Sequence, residues 1–194
     1  MKRVPVKRIV DLGLAVPALL MVWDALFTQA WPMDLLRPSG ELSVRLLVVA
    51  LLPGPLVEIF GTNRVLRGWL SIRRDLGVAA FGYGALHLAF YLVDMTPEGI
   101  VNELGLPGIW TGWLALMLLA IPAALSSDRA VRLLGRIWKR LQAVVYPVFV
   151  LAIAHWLILD WAVLPALLHA APLLVAWIAR SWKRKHIRKE AQSP

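Results

Sequence analysis

The sequence predicts an all-α membrane protein, a six-transmembrane-helix bundle with both termini in the cytoplasm. Three observations carry that prediction. First, 59% of the 194 residues are hydrophobic and only 17% are charged. Soluble domains run at about 45–50% and about 25%, so no water-soluble core of this size could hide so much apolar surface. Second, six apolar runs are each long enough, or nearly so, for the roughly 20 residues that a helix needs to cross a bilayer. Third, the basic residues fall almost entirely on alternate connections. The chain has no cysteine, which excludes disulfides, iron–sulfur clusters, thiolate zinc sites, thiol nucleophiles and c-type haem attachment.

The first run, residues 9–27, follows Lys2, Arg3, Lys7 and Arg8. The small residues around Thr28-Gln29-Ala30 give it some likeness to a cleavable leader, but its apolar stretch is long for one, and it is expected to stay as a helix. The second run, 42–60, contains Pro53 and Pro55, which membrane helices tolerate better than soluble ones, and is followed by Arg64, Arg67, Arg73 and Arg74. The third, 76–93, and the fourth, 108–125, lead to Arg129, Arg132, Arg136, Lys139 and Arg140. The fifth and sixth, 144–159 and 163–179, end in a basic tail, 180–194, that carries Arg180, Lys183, Arg184, Lys185, Arg188 and Lys189.

By this reckoning nineteen of the 21 basic residues share one side. Arg37 and Arg45 are on the other, with Asp34, Glu41, Asp94, Glu98, Glu103 and Asp160. The positive-inside rule puts the basic side in the cytoplasm. It also accounts for the net charge of +9 without any nucleic-acid partner. No fixed-period repeat appears, and the connections are too short for a further domain, so the chain is one membrane domain.

Ionisable side chains at membrane depth default to functional candidates. His87 lies seven residues before Asp94, and His155 five before Asp160. At about 1.5 Å per residue both sit roughly 16 Å from the cytoplasmic edge, in the outer half of the bilayer. His169 reaches similar depth from the other direction. Two histidines on facing helices suit axial ligation of haem, where each neutral imidazole gives one nitrogen to iron and no position stays open for a substrate. The alternative is a hydrogen bond from each histidine to a neighbouring helix. His186, in a run of basic residues, reads as a solvated tail residue. Arg45 is a candidate for a haem propionate contact, against snorkelling or pairing with Asp24.

The stretch from Arg73 to His87, Arg-Arg-Asp-Leu-Gly-Val-Ala-Ala-Phe-Gly-Tyr-Gly-Ala-Leu-His, with Tyr91 and Asp94 beyond it, resembles the R-R-x-L-G-L-x-A-F-x-Y-A-x-L-H signature of the MsrQ (YedZ) family. That family is the haem-binding membrane subunit of the periplasmic methionine-sulfoxide reductase system, within the ferric-reductase-like transmembrane group. Gly40-Glu41-Leu42-Ser43-Val44-Arg45 is similar to the family's G-E-W-A-L-R. Leu134-Gly135, Trp138, Leu141 and Val145-Tyr146 match its L-G-x-x-W-x-x-L-H-x-x-V-Y, and His155 falls on the family's next histidine. The likeness covers about residues 38–160. Three positions depart from it: Leu42 replaces a tryptophan, Gly54-Pro55-Leu56-Val57 stands for T-P-L-R, and Gln142 replaces a histidine near the cytoplasmic edge.

The resemblance implies a multi-pass protein of the bacterial inner membrane that binds haem b, one group per chain, through His87 and His155. Gln142 is a poor iron ligand, so an inner haem is not expected. The implied electron donor is a cytoplasmic flavin reductase or quinol. The implied acceptor is a periplasmic molybdopterin-containing methionine-sulfoxide reductase, which leaves this chain without substrate chemistry of its own. FMN is associated with the family, and Arg73 and Arg74 are candidate contacts for its phosphate, although no glycine-rich phosphate loop is present. Two alternatives stay open at this point: a stand-alone quinol-linked or ferric-reductase-like haem protein, and a haem-free membrane scaffold.

Overall fold

The computed structural model describes residues 6–28, 30–160 and 163–190. Lys2 and Arg3 of the first basic group, Gln29 of the leader-like stretch and the last four residues of the tail lie outside them. Among the described residues the structure is helical, without strands, and six helices or helix pairs are long and apolar enough to cross a membrane. The first is α1 (Val6–Phe27). The second is formed by α2 (Pro32–Leu51) and α3 (Pro53–Phe60), the third by α4 (Arg64–Asp94). A short α5 (Pro97–Glu103) leads to α6 (Pro107–Ala124). Two more short helices, α7 (Asp128–Leu134) and α8 (Arg136–Gln142), lead into α9 (Val145–Leu159), and α10 (Val163–Glu190) closes the chain.

The apolar runs locate all six spans, but the helices outreach them. Helix α2 begins ten residues before its run, with Pro32 in the first turn where its missing N–H costs nothing. Helix α4 begins at Arg64, capped by Asn63, whose side chain accepts from the Leu66 amide at 2.8 Å. Helix α10 continues through the basic tail to Glu190. An apolar run marks where a helix meets lipid, whereas the backbone ladder continues into water until a cap or proline stops it.

Prolines inside the spans free backbone carbonyls, and neighbouring helices take them up. Pro53 has no N–H for the Val49 carbonyl, which instead accepts from Trp69 Nε1 at 3.0 Å. Arg73 Nε donates to the adjacent Ala50 carbonyl at 2.9 Å. Helix α1 is tied to α4 by Tyr83, whose hydroxyl donates to the Leu14 carbonyl at 2.7 Å and accepts from the Ala18 amide at 3.1 Å. The hydroxyl thus inserts into the α1 ladder next to Pro17.

The bundle is built on two helix pairs. Helix α4 packs chiefly on α2, and α9 chiefly on α6; α4 against α6 and α2 against α9 join the pairs, while α1 and α10 lie outside them. Val44, Leu47, Val48, Leu51, Ala80, Leu119, Val148, Phe149, Ala170 and Leu173 interlock where the four central helices and α10 meet. The histidines of interest sit one on each pair, His87 on α4 and His155 on α9.

Candidate functional site

A cavity of about 610 Å³ opens between the two pairs, lined by both His87 and His155. Its walls are apolar, with Val44, Leu47, Leu116, Val148 and Ala152 among them. The volume is within the roughly 300–1,000 Å³ of cofactor pockets. Polar groups gather at the ends of these helices far from the basic clusters, where Arg37, Glu41, Tyr91, Glu103 and Asp160 also line the cavity. Tyr91 donates to Glu103 Oε2 at 2.8 Å, which ties α4 to α5. Arg37 Nε donates to Glu41 Oε1 at 3.0 Å and Arg37 Nη2 lies 3.6 Å from Asp160 Oδ2, so its guanidinium spans α2 and the end of α9.

The two imidazoles face each other across the cavity with ring centres 6.1 Å apart and planes at 88°. Each is held from behind by a backbone carbonyl of its paired helix. His87 Nδ1 lies 2.8 Å from the Leu36 carbonyl of α2, and His155 Nδ1 lies 2.6 Å from the Gly108 carbonyl of α6. A carbonyl only accepts, so each Nδ1 carries the hydrogen, and in the neutral ring Nε2 keeps its lone pair. Among the described residues no hydrogen bond reaches either Nε2.

Two imidazoles on the wall of one apolar cavity are a donor set that could hold a haem. Among the described residues no cluster of three or more His, Cys, Asp or Glu side chains could hold a metal ion, so a bare ion would lack its usual protein donors. Haem brings its own equatorial nitrogens and needs only two axial ligands. His87 and His155, whose ring centres are 6.1 Å apart on the wall of one apolar cavity, are the residues that would hold such a group.

The remaining candidates from the sequence lie elsewhere. His169 has the same tautomer, with Nδ1 donating to Pro165 O at 2.6 Å, but its Nε2 accepts from Arg45 Nε at 2.6 Å, so its lone pair is used. Its ring packs 5.1 Å from Trp156. Arg45 also donates through Nη2 to Glu41, and does not line the cavity; Asp24 is not its partner. The guanidinium on the cavity wall is that of Arg37, which sequence reading passed over. Arg73 serves the Ala50 carbonyl, and Arg74 pairs with Asp128 at 2.7 Å, holding that carboxyl below its ordinary range. Gln142 Nε2 donates to the Pro122 carbonyl at 3.0 Å. His186 packs edge-on against Trp182 on the exposed part of α10.

Comparison with known proteins agrees with this architecture. Residues 39–153 match the family described as ferric reductase like transmembrane component. The protein-methionine-sulfoxide reductase heme-binding subunit MsrQ of Xanthomonas axonopodis pv. citri (strain 306) is 32% identical over 200 residues, covering 94% of this chain and 88% of its own. The chain belongs to the MsrQ family. The MsrQ protein of Xanthomonas campestris pv. campestris (strain 8004) is 35% identical, covering 78% of this chain and 70% of its own. That of Bordetella pertussis (strain Tohama I) is 36% identical, with 66% and 63% covered. As a MsrQ member with six membrane-crossing helices, the chain is a multi-pass protein of the bacterial inner membrane.

Proposed function

We propose that the chain holds one b-type haem between His87 and His155 and passes single electrons to a methionine-sulfoxide reductase on the outer side of the membrane. The observation that carries this is the pair of imidazoles 6.1 Å apart in an apolar cavity, each with Nδ1–H fixed on a backbone carbonyl and, among the described residues, no hydrogen bond at Nε2. Haem bound between two imidazoles supplies reversible one-electron transfer with no coordination position open to a substrate. The chain's own residues do the rest. The Leu36 and Gly108 carbonyls orient the rings and raise the basicity of Nε2, as outer partners of metal-bound histidines do. Leu47, Leu116, Val148 and Ala152 exclude water. Arg37, on the cavity wall and engaged with Glu41 and Asp160, is the guanidinium that would pair with an acidic substituent of the cofactor.

The relatives' printed name, heme-binding subunit of a protein-methionine-sulfoxide reductase, supports both the cofactor and the acceptor. By the same resemblance the acceptor carries molybdopterin, and the donor is a cytoplasmic flavin reductase or quinol. The basic ends of the helices face the cytoplasm, which puts the histidine pair in the outer half of the bilayer, close to such an acceptor. Gln142, engaged with Pro122, and the interlocked core of α2, α4, α6, α9 and α10 argue for one haem rather than two.

The test is haem retention in purified variants. His87→Ala and His155→Ala each lose most of the bound haem, while His169→Ala keeps it. Full retention in the first two variants would overturn the assignment.

A further inference from the structure

The two histidine-bearing pairs share a second feature, independent of the rings' free nitrogens. Gly40 of α2 lies four residues beyond Leu36, whose carbonyl holds His87. Gly112 of α6 lies four residues beyond Gly108, whose carbonyl holds His155. A Cβ at position 40 would meet His87 Nδ1 at 2.9 Å and Cε1 at 3.1 Å. At position 112 it would meet His155 Nδ1 and Cε1, both at 2.6 Å.

Helix geometry explains the spacing. Each Cα–Cβ bond of a helix tilts toward the N-terminus, so the Cβ of residue i+4 leans over the carbonyl region of residue i. That carbonyl already accepts the i+4 amide of its own helix. An imidazole from a neighbouring helix can share the carbonyl only by entering the space that the i+4 Cβ would fill. His169 shows the contrast, because its Nδ1 bonds a carbonyl of its own helix, at Pro165, and no glycine touches its ring.

We infer that Gly40 and Gly112 are positioning residues for the two ligand histidines, each clearing the ring's approach to the carbonyl four residues earlier. The inference rests on the haem reading only for its purpose, since the ring geometry stands without a cofactor. Alanine is ordinarily the better helix residue than glycine, so the sign of the substitution is diagnostic.

The decisive experiment is a double-mutant cycle on the haem-free protein in detergent, read as helix melting by circular dichroism. Gly112→Ala lowers the melting temperature by about 2–10 °C, in keeping with an overpacked core. In the His155→Ala background the same substitution is neutral or raises it, because the ring is gone. Gly40→Ala behaves likewise toward His87. Gly77→Ala, whose Cβ would meet nothing within 4 Å, lowers stability in neither background. A loss at Gly112 that is equal with and without the His155 ring would overturn the inference, as would an unchanged melting temperature in the wild-type background. If a single alanine variant does not fold, recovery of folding in the double variant with His155→Ala supports the inference, and no recovery overturns it. On loaded protein, each glycine variant retains haem about tenfold less tightly, with an altered low-spin spectrum. Normal melting coupling in a chain that binds no haem would leave the positioning role standing and remove the haem reading alone.

Discussion

His87, His155 and His169 have similar depth and the same tautomer, yet only the first two line the cavity and, among the described residues, keep Nε2 without a hydrogen bond. What separates them is the group each nitrogen touches. Arg45 occupies the lone pair of His169, while nothing described occupies the other two. Depth along a span is readable from sequence, so His87 and His155 were visible there. Their acceptors, the carbonyls of Leu36 and Gly108, were not, because a backbone carbonyl is common to every residue type. The placement of Arg37 and Arg45 was hidden for a different reason. Positions 37, 41 and 45 step round a helix by about 40° each, so Arg37 reaches the cavity while Arg45 turns toward α10 and His169. At Gln142, the bond to Pro122 and the filled core predict that Gln142→His adds no second haem. Haem per chain, counted by pyridine haemochrome, checks this, and a doubled count would show that an inner pocket survives.

At the scale of elements, the break between α2 and α3 depends on groups supplied by α4. Trp69 Nε1 replaces the amide that Pro53 lacks. Trp69→Phe should leave the Val49 carbonyl without its partner and lower stability by about 1–3 kcal/mol, whereas adding Pro53→Ala to it should recover much of the loss by restoring an N–H. Thermal unfolding of the two variants in detergent checks the pair; equal loss in both would contradict the role given to Trp69. The six spans were readable because an apolar run of this length has few alternatives to a membrane helix. The starts of α2 and α4 and the helical tail of α10 were less so, since their end segments are polar and amphipathic or charged, and a solvated helix turn resembles a solvated loop in composition. Asn63 is a cap that could have been found from residue type.

For the whole molecule, the sorting of charge is what the proposed orientation of the electron route rests on. The acidic rim at the cavity and the basic clusters at the opposite helix ends predict that residue 98 faces the periplasm and residue 132 the cytoplasm. The natural absence of cysteine makes this direct to check. In intact cells, Glu98→Cys should react with a membrane-impermeant maleimide and Arg132→Cys should not; the reverse pattern would put the histidine pair on the wrong side for an outer acceptor. The two-pair architecture bears on the same route. Each pair contributes one helix with a carbonyl that holds and one with a histidine that is held, so the site exists only once the pairs dock, and it sits at their shared apolar face.

Whether a single haem lies between His87 and His155 is read from the reduced-minus-oxidised optical spectrum of the purified chain, with haem counted per polypeptide. A haem held by both histidines gives a low-spin b-type spectrum with about one haem per chain. A chain that takes up no haem despite ample supply, or one whose spectrum is high-spin with an open iron position, would contradict it.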